Sequence, residues 1–169
     1  MDDDTLQKLK AAFAGESQAN RKYLAFAEKA EKDGFPNVAI LFRAVAAAET
    51  IHAHNHFRLF GLGSTADNVK AAVQGENHEV TEMYPEYIDI AENAGEGRAS
   101  KTFVYALEAE KIHERMFINA LEKVLENQDM EIDENKISVC GMCGYTTFGS
   151  PPDECPVCKA KKEIFKIIE

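Results

Sequence analysis

One pattern occurs twice in this chain and leaves few folds open to it. Ala-x-x-Gly-Glu and, further on, Ala-Glu-x-Ile-His appear first as Ala12, Gly15, Glu16, Ala48, Glu49, Ile51 and His52. They return as Ala72, Gly75, Glu76, Ala109, Glu110, Ile112 and His113. On a helix, Glu-x-x-His points both side chains at the same neighbour. A lone match of this kind is usually a solvated helix face. Here both copies carry an upstream Gly-Glu, and the Glu16–Glu49 and Glu76–Glu110 separations differ by a single residue. A repeat that keeps two glutamates and a histidine in step is a repeat of ligands. Two such halves complete the set that a four-helix bundle uses to hold a pair of metal ions.

The remaining pattern supplies four helices to carry them. Apolar positions at helical spacing (Leu6, Leu9, Phe13, Tyr23, Phe26, Ala27, Ala30) predict a first helix over about 4–33, stopped at Asp33-Gly34. Pro36 opens a second, Ala-rich helix that ends near Gly61-Leu62-Gly63. A third runs from about Asp67-Asn68 to between Asn93 and Gly97, and a fourth from about Arg98 to Asn127. The lone glutamates fall on the first and third helices, the Glu-x-x-His pairs on the second and fourth. Within the third helix, Glu76 to Tyr84 is one residue longer than Glu16 to Tyr23, and Pro85 follows. An inserted residue in a helix is commonly absorbed as a π-bulge, so an irregularity that aims Glu79 at the metals is expected there.

All four cysteines lie at the other end, as Cys140-x-x-Cys143 and Cys155-Pro-Val-Cys158. Two such knuckles make a tetrahedral thiolate site, which binds iron or zinc equally well on geometry. No signal peptide opens the sequence, so thiolate ligation is favoured over disulfides and a cytoplasmic protein is expected. The formal net charge of −10 disfavours nucleic acid and anionic membranes. No apolar run is long enough for a membrane span. The acidic stretch Glu126–Asn135 reads as a linker, dividing the chain into a bundle over 1–130 and a metal-stapled module over 131–169.

Gly15-Glu16-Ser17-Gln18-Ala19, Ala48-Glu49-x-Ile51-His52, Gly75-Glu76-x-x-Glu79-Val80-x-Glu82-Met83-Tyr84-Pro85 and Glu110-x-x-His113, with the four-cysteine tail, resemble the rubrerythrin family over nearly the whole chain. Glu79 on the third helix, combined with that tail, sets the pattern apart from ordinary ferritins. The resemblance implies a mainly α protein: a ferritin-like four-helix bundle followed by a small, β-poor, rubredoxin-like module. It implies a non-haem di-iron peroxidase that reduces hydrogen peroxide to water and protects against oxidative stress. Electrons would arrive through the C-terminal thiolate-bound iron from a donor such as a rubredoxin or an NAD(P)H-dependent reductase. By the same resemblance Glu49 and Glu110 bridge the metals, Glu16, Glu76 and Glu79 are terminal ligands, and His52 and His113 are the imidazoles. Cys140, Cys143, Cys155 and Cys158 hold the tail iron. Glu79 and His52 match the pair that exchanges at one iron with redox state, and Tyr23 and Tyr84 match tyrosines that hydrogen-bond site carboxylates. A ferroxidase or iron-handling protein with the same cage is the alternative, and a metal-stabilised interaction module without turnover a third reading.

Some residues stand outside that pattern. His54, His56 and His78 fall outside the repeat, and the plain reading of each is a solvated side chain. Lys159 stands where the family usually has glycine after the last cysteine, a position that calls for positive φ. Assembly also enters at this level. If the second and third helices run parallel in a bundle, the chain must travel back roughly 28 Å at 1.5 Å per residue, whereas Gly61–Asp67 spans about 25 Å at most. A homodimer is expected, with helix pairs swapped so that Glu16, Glu49 and His52 share a cage with Glu76, Glu79, Glu110 and His113 of a second copy; an unswapped dimer with the tail of one copy near the other's bundle is the alternative.

Overall fold

The computed structural model describes residues 1–169. Helix α1 covers Asp3–Lys32 and α2 covers Pro36–Phe57. Asp2 caps α1 by accepting from the Thr5 N–H at 2.9 Å, and acidic residues in its first turn and lysines in its last complement the helix dipole. The helix closes at Gly34, φ +84°, where the Phe35 N–H bonds back to Ala30 and that of Gly34 to Glu31. This is a Schellman closure, and glycine is there because the left-handed conformation penalises a Cβ. The partner hairpin repeats it at Gly95, φ +73°, with the Glu96 N–H returning to Ala91.

Small residues let α1 and α2 approach closely: Ala27, Ala30 and Ala39 are buried together, with Phe42 against them. Buried Asn20 ties the pair further, donating through Nδ2 to the Ala46 carbonyl at 2.6 Å and to the Thr50 hydroxyl at 2.8 Å.

The packing divides into two compact units, Met1–Leu62 and Gly63–Glu169. The second begins with α3, Thr65–His78, behind a capping box in which Ser64 and Asp67 satisfy each other's backbone N–H. A π-helical segment, Glu79–Met83, then leads into α4, Tyr84–Asn93. The Tyr84 N–H reaches back to the Glu79 carbonyl, the i to i−5 bond of a π turn. The irregularity expected from the extra residue is therefore present, and the third helix of the sequence reading is α3 and α4 joined by it. Helix α5, Gly97–Leu125, packs on both.

The tail of this unit is a three-stranded antiparallel sheet, β1 (Ile137–Cys140) between β2 (Thr146–Phe148) and β3 (Phe165–Ile168). Buried Ser138 in β1 donates to the Gly149 carbonyl at 2.6 Å, and β2 lies against α5. That contact brings the cysteine module to the ligand-bearing helix. Large apolar side chains remain exposed on the first unit (Phe26, Ile40, Leu41, Ile51) and on the second (Tyr87, Ile90). No helix is long and apolar enough to cross a membrane.

Candidate metal centres

Each unit gathers one half of the repeat. In the first, Glu16 on α1 meets Glu49 and His52 on α2, their ligand atoms all within 4.8 Å of one another. In the second, Glu76 on α3 meets Glu110 and His113 on α5 within the same limit. The i, i+3 spacing does its part in both, placing His52 Nδ1 at 2.9 Å from Glu49 Oε2 and His113 Nδ1 at 2.5 Å from Glu110 Oε2.

The second half-site shows the electrostatic signature of a cation position. Glu76 Oε2 is buried with no hydrogen-bond partner. Burial first, then the neighbouring Glu110 charge, raises the Glu76 carboxyl to about 7. Glu110 is pulled down by its hydrogen bond with His113, and the same bond pushes His113 up. Crowded carboxylates, an orphaned oxygen and an imidazole nitrogen facing the same point are the donor set that suits iron or manganese. An apolar cavity of about 500 Å³, bordered among others by Glu76, His113, Phe117 and Phe148, opens beside them.

Other sequence-read residues sit close to these groups or apart from them. Glu79, on the first residue of the π turn, lies outside the tight cluster but near enough that burial and the Glu110 charge raise its carboxyl. Tyr84 is raised by burial and then by Glu79, Glu110 and Glu76, so its hydroxyl stays protonated among carboxylates. Tyr23 packs its ring on Phe26 and Phe42, with centroids 6.2 and 6.0 Å away. His54, His56 and His78 belong to neither cluster.

The four thiols converge in the tail. Cys140 Sγ lies 3.6 Å from Cys158 Sγ, and Cys143 Sγ 3.5 Å from Cys155 Sγ. Four sulfurs around a metal at about 2.3 Å would stand about 3.8 Å apart, so the cavity already has the right size. The Tyr145 N–H points at Cys143 Sγ at 3.5 Å. Burial pushes the Cys143 thiol well up; at Cys140 burial is outweighed by the Met142 and Cys143 N–H groups and by the neighbouring sulfurs, so the thiol is lowered. Both knuckles turn through left-handed backbone, at Gly144 (φ +81°) and at Lys159 (φ +64°). Lysine thus adopts the conformation that the family's glycine serves, at a cost of about 1 kcal/mol.

Sequence reasoning overlooked one contact. His113 Nε2 lies 2.9 Å from the Thr146 hydroxyl, which donates to the Gly144 carbonyl at 2.9 Å. A threonine in a strand carries no signal of such a role, and only the docking of β2 on α5 reveals it.

Carboxylates and imidazoles from paired helices, with a four-thiolate module behind them, define a di-iron carboxylate protein with a rubredoxin-like centre. The comparisons with known proteins give the family. The rubrerythrin family model matches residues 7–121, and the model of the rubrerythrin rubredoxin-like domain matches residues 139–166. Rubrerythrin-2 of Clostridium acetobutylicum is 40% identical, the alignment covering 96% of this chain and 95% of that protein. Nigerythrin of Nitratidesulfovibrio vulgaris is 34% identical over 95% of this chain and 85% of its own length. A solved structure of nigerythrin in its fully reduced, all-ferrous state is similar with a TM-score of 0.56 and 33% identity, covering 97% of this chain and 86% of that one. The chain belongs to the rubrerythrin family.

Proposed function

We propose that this protein is a peroxidase that reduces hydrogen peroxide to water at a di-iron site shared by the two half-sites, refilled with electrons by the four-cysteine iron. The observation that carries the reading is the second half-site, where a carboxylate cluster with an orphaned oxygen lies beside the thiolate module within one packed unit. Glu16, Glu49, His52, Glu76, Glu79, Glu110 and His113 would hold the two bundle irons. Cys140, Cys143, Cys155 and Cys158 would hold the third. When bound, the paired irons supply two one-electron changes next to each other, matching the two electrons that O–O cleavage consumes.

The protein's own groups supply protons and exclude water. Two protons accompany the two electrons when one peroxide becomes two waters. Tyr84, held protonated by burial and by the neighbouring carboxylates, is the group suited to give or relay them. Apolar residues such as Phe117 and Phe148 border the cavity beside Glu76 and His113 and limit bulk water there. The donor would be a rubredoxin or an NAD(P)H-dependent reductase, and the compartment the cytoplasm. Residues 1–130 and 131–169 would be the bundle and the electron-entry module.

A homodimer with swapped helix pairs completes the cage in this reading. Support comes from the packing: α1 and α2 form one unit, α3 to α5 another, and each carries half of the ligands and an exposed apolar surface. A two-layer architecture has to bury such faces.

The deciding measurement is stopped-flow oxidation of the fully reduced, anaerobically purified protein. Hydrogen peroxide should oxidise it at least about a hundredfold faster than dioxygen at equal concentration, a difference of about 2.7 kcal/mol in barrier. Comparable rates, with ferric iron accumulating in the protein, would favour the ferroxidase.

A further inference from the structure

We propose that Thr146 is a positioning residue for His113, fixing which imidazole nitrogen faces the metal and tying that ligand to the first cysteine knuckle. The inference rests on the reading of His113 as a ligand, but its chemistry follows from hydrogen-bond direction alone.

The Gly144 carbonyl can only accept. Thr146 has one hydroxyl proton, and its Oγ1 donates it to Gly144 at 2.9 Å. The hydroxyl therefore has only lone pairs left for His113, and Nε2, 2.9 Å away, must bring the proton. With Nε2 committed as the N–H, Nδ1 is the nitrogen left to face the carboxylate cluster, where it shares a proton with Glu110 Oε2 at 2.5 Å until a metal displaces it. Once that proton is displaced, the ring's one lone pair points where the metal is expected. A hydrogen bond at the far nitrogen is the usual means of fixing a ligand's tautomer and ring angle.

Local structure explains why this residue can do it. Gly144 turns the chain with φ +81°, and a Cβ there would sit 3.7 Å from Ala109 Cβ, so the knuckle rests directly on α5. Two residues on, Thr146 pairs with Val139 across the sheet, which holds its backbone in register. Ala109 and His113 are one helical turn apart and face the same module. The hydroxyl is thus set by the knuckle, and the imidazole is set by the hydroxyl. His52, the matching residue of the first half-site, has no hydrogen-bond partner at Nε2 in the chain.

The test uses the zinc-loaded full-length chain, ¹⁵N-labelled at histidine. The wild type should show His113 as the Nε2–H tautomer, with that proton protected from solvent exchange. Thr146→Val, which keeps the shape but not the hydroxyl, should lower the protection at least about tenfold, and Thr146→Ser should restore it. Zinc competition titrations should show Thr146→Val weakening bundle binding by about tenfold while the four-cysteine site is unchanged. An Nδ1–H tautomer in the wild type would overturn the proposal even if the valine variant failed to fold. So would a folded valine variant with wild-type exchange and zinc affinity. The ligand reading is checked separately, since Glu110→Ala should empty the bundle site whether or not Thr146 acts on His113.

Discussion

The two half-sites carry the same ligands and differ in how firmly they hold them. His113 is 25% exposed and bonded at both ring nitrogens, to Glu110 and to Thr146. His52 is 54% exposed and bonded at one, to Glu49. Behind the second half-site stand the cysteine module and a π turn bearing an extra carboxylate; behind the first, the alanine-packed contact of α1 with α2. A duplicated ligand pattern therefore does not mean duplicated function. Within the chain one imidazole is held at both ring nitrogens and the other at one.

The largest effects should come from Glu49 and Glu110, the carboxylates that the family resemblance casts as bridges. Glu49→Ala and Glu110→Ala should each strip both bundle irons while the red ferric tail centre persists, as read by metal counting and the visible spectrum. Either variant retaining its bundle metals would show that one half-site suffices. His54→Ala should change nothing in the same assay.

Mixing those variants separates a swapped cage from a closed one. In a swapped dimer, a Glu49→Ala chain and a Glu110→Ala chain that exchange subunits build one intact cage, from the sound first unit of one and the sound second unit of the other. Random exchange makes about half of the dimers mixed, so about a quarter of the wild-type bundle iron and peroxide activity should return. Cages built within one chain would give no recovery, and neither would a monomer. A variant that kept its metals alone would make the mixture uninformative, which is why the single variants are measured first.

A pH series probes the electrostatic side of the contrast. In the metal-free fold Glu76 is raised to about 7, so between about pH 4.5 and 7 the folded second unit holds a proton that the unfolded chain releases, and His113, raised from 6.5, carries the same effect on above that value. Its stability should therefore fall as pH rises through that window. Glu110, being lowered, opposes this only below its ordinary range, where its contribution is lost as pH falls. Bound metal should reverse the trend, because ligation displaces those protons and tightens as pH rises. Thermal melts of metal-free and metal-loaded protein from about pH 5 to 8 test this, with Glu76→Gln expected to flatten the metal-free slope. Parallel slopes with and without metal would disprove that account.

Helix order, the ligand halves and the π turn were legible because each leaves a mark in spacing: the repeat, the Asp33-Gly34 stop, the extra residue before Tyr84. The four-cysteine module was legible because its ligands come in two adjacent pairs. What stayed hidden depends on contacts between distant segments. Thr146 and His113 come together only because a glycine knuckle lets β2 rest on α5, and neither residue type announces it. Asn20 reads as an ordinary helical polar residue until α2 supplies Ala46 and Thr50. Tyr23 and Tyr84 look equivalent in sequence, and within the chain both rings pack on aromatics, Tyr23 on Phe26 and Phe42 and Tyr84 on Tyr87 and Phe103, contacts that spacing alone does not reveal.

The smallest effect concerns the two cysteine knuckles, where two matching elements differ again. Gly144 lies against Ala109 and carries the carbonyl that Thr146 bonds, whereas Lys159 is exposed and its nearest charged partner is Glu154, 3.9 Å away. Both adopt positive φ, so Lys159→Gly should relieve backbone strain and stabilise the module by about 1 kcal/mol. Losing so long and exposed an ion pair offsets little of that. Gly144→Ala should cost about as much through φ alone, since its Cβ would make only an ordinary contact. The two substitutions differ in reach. Replacing Lys159 should leave the bundle untouched, whereas a shift of the Gly144 carbonyl passes to Thr146 and on to His113. Denaturant unfolding of the zinc-loaded tail, read beside the exchange rate of the His113 Nε2 proton, separates them: both should change stability, but only Gly144→Ala should speed the exchange.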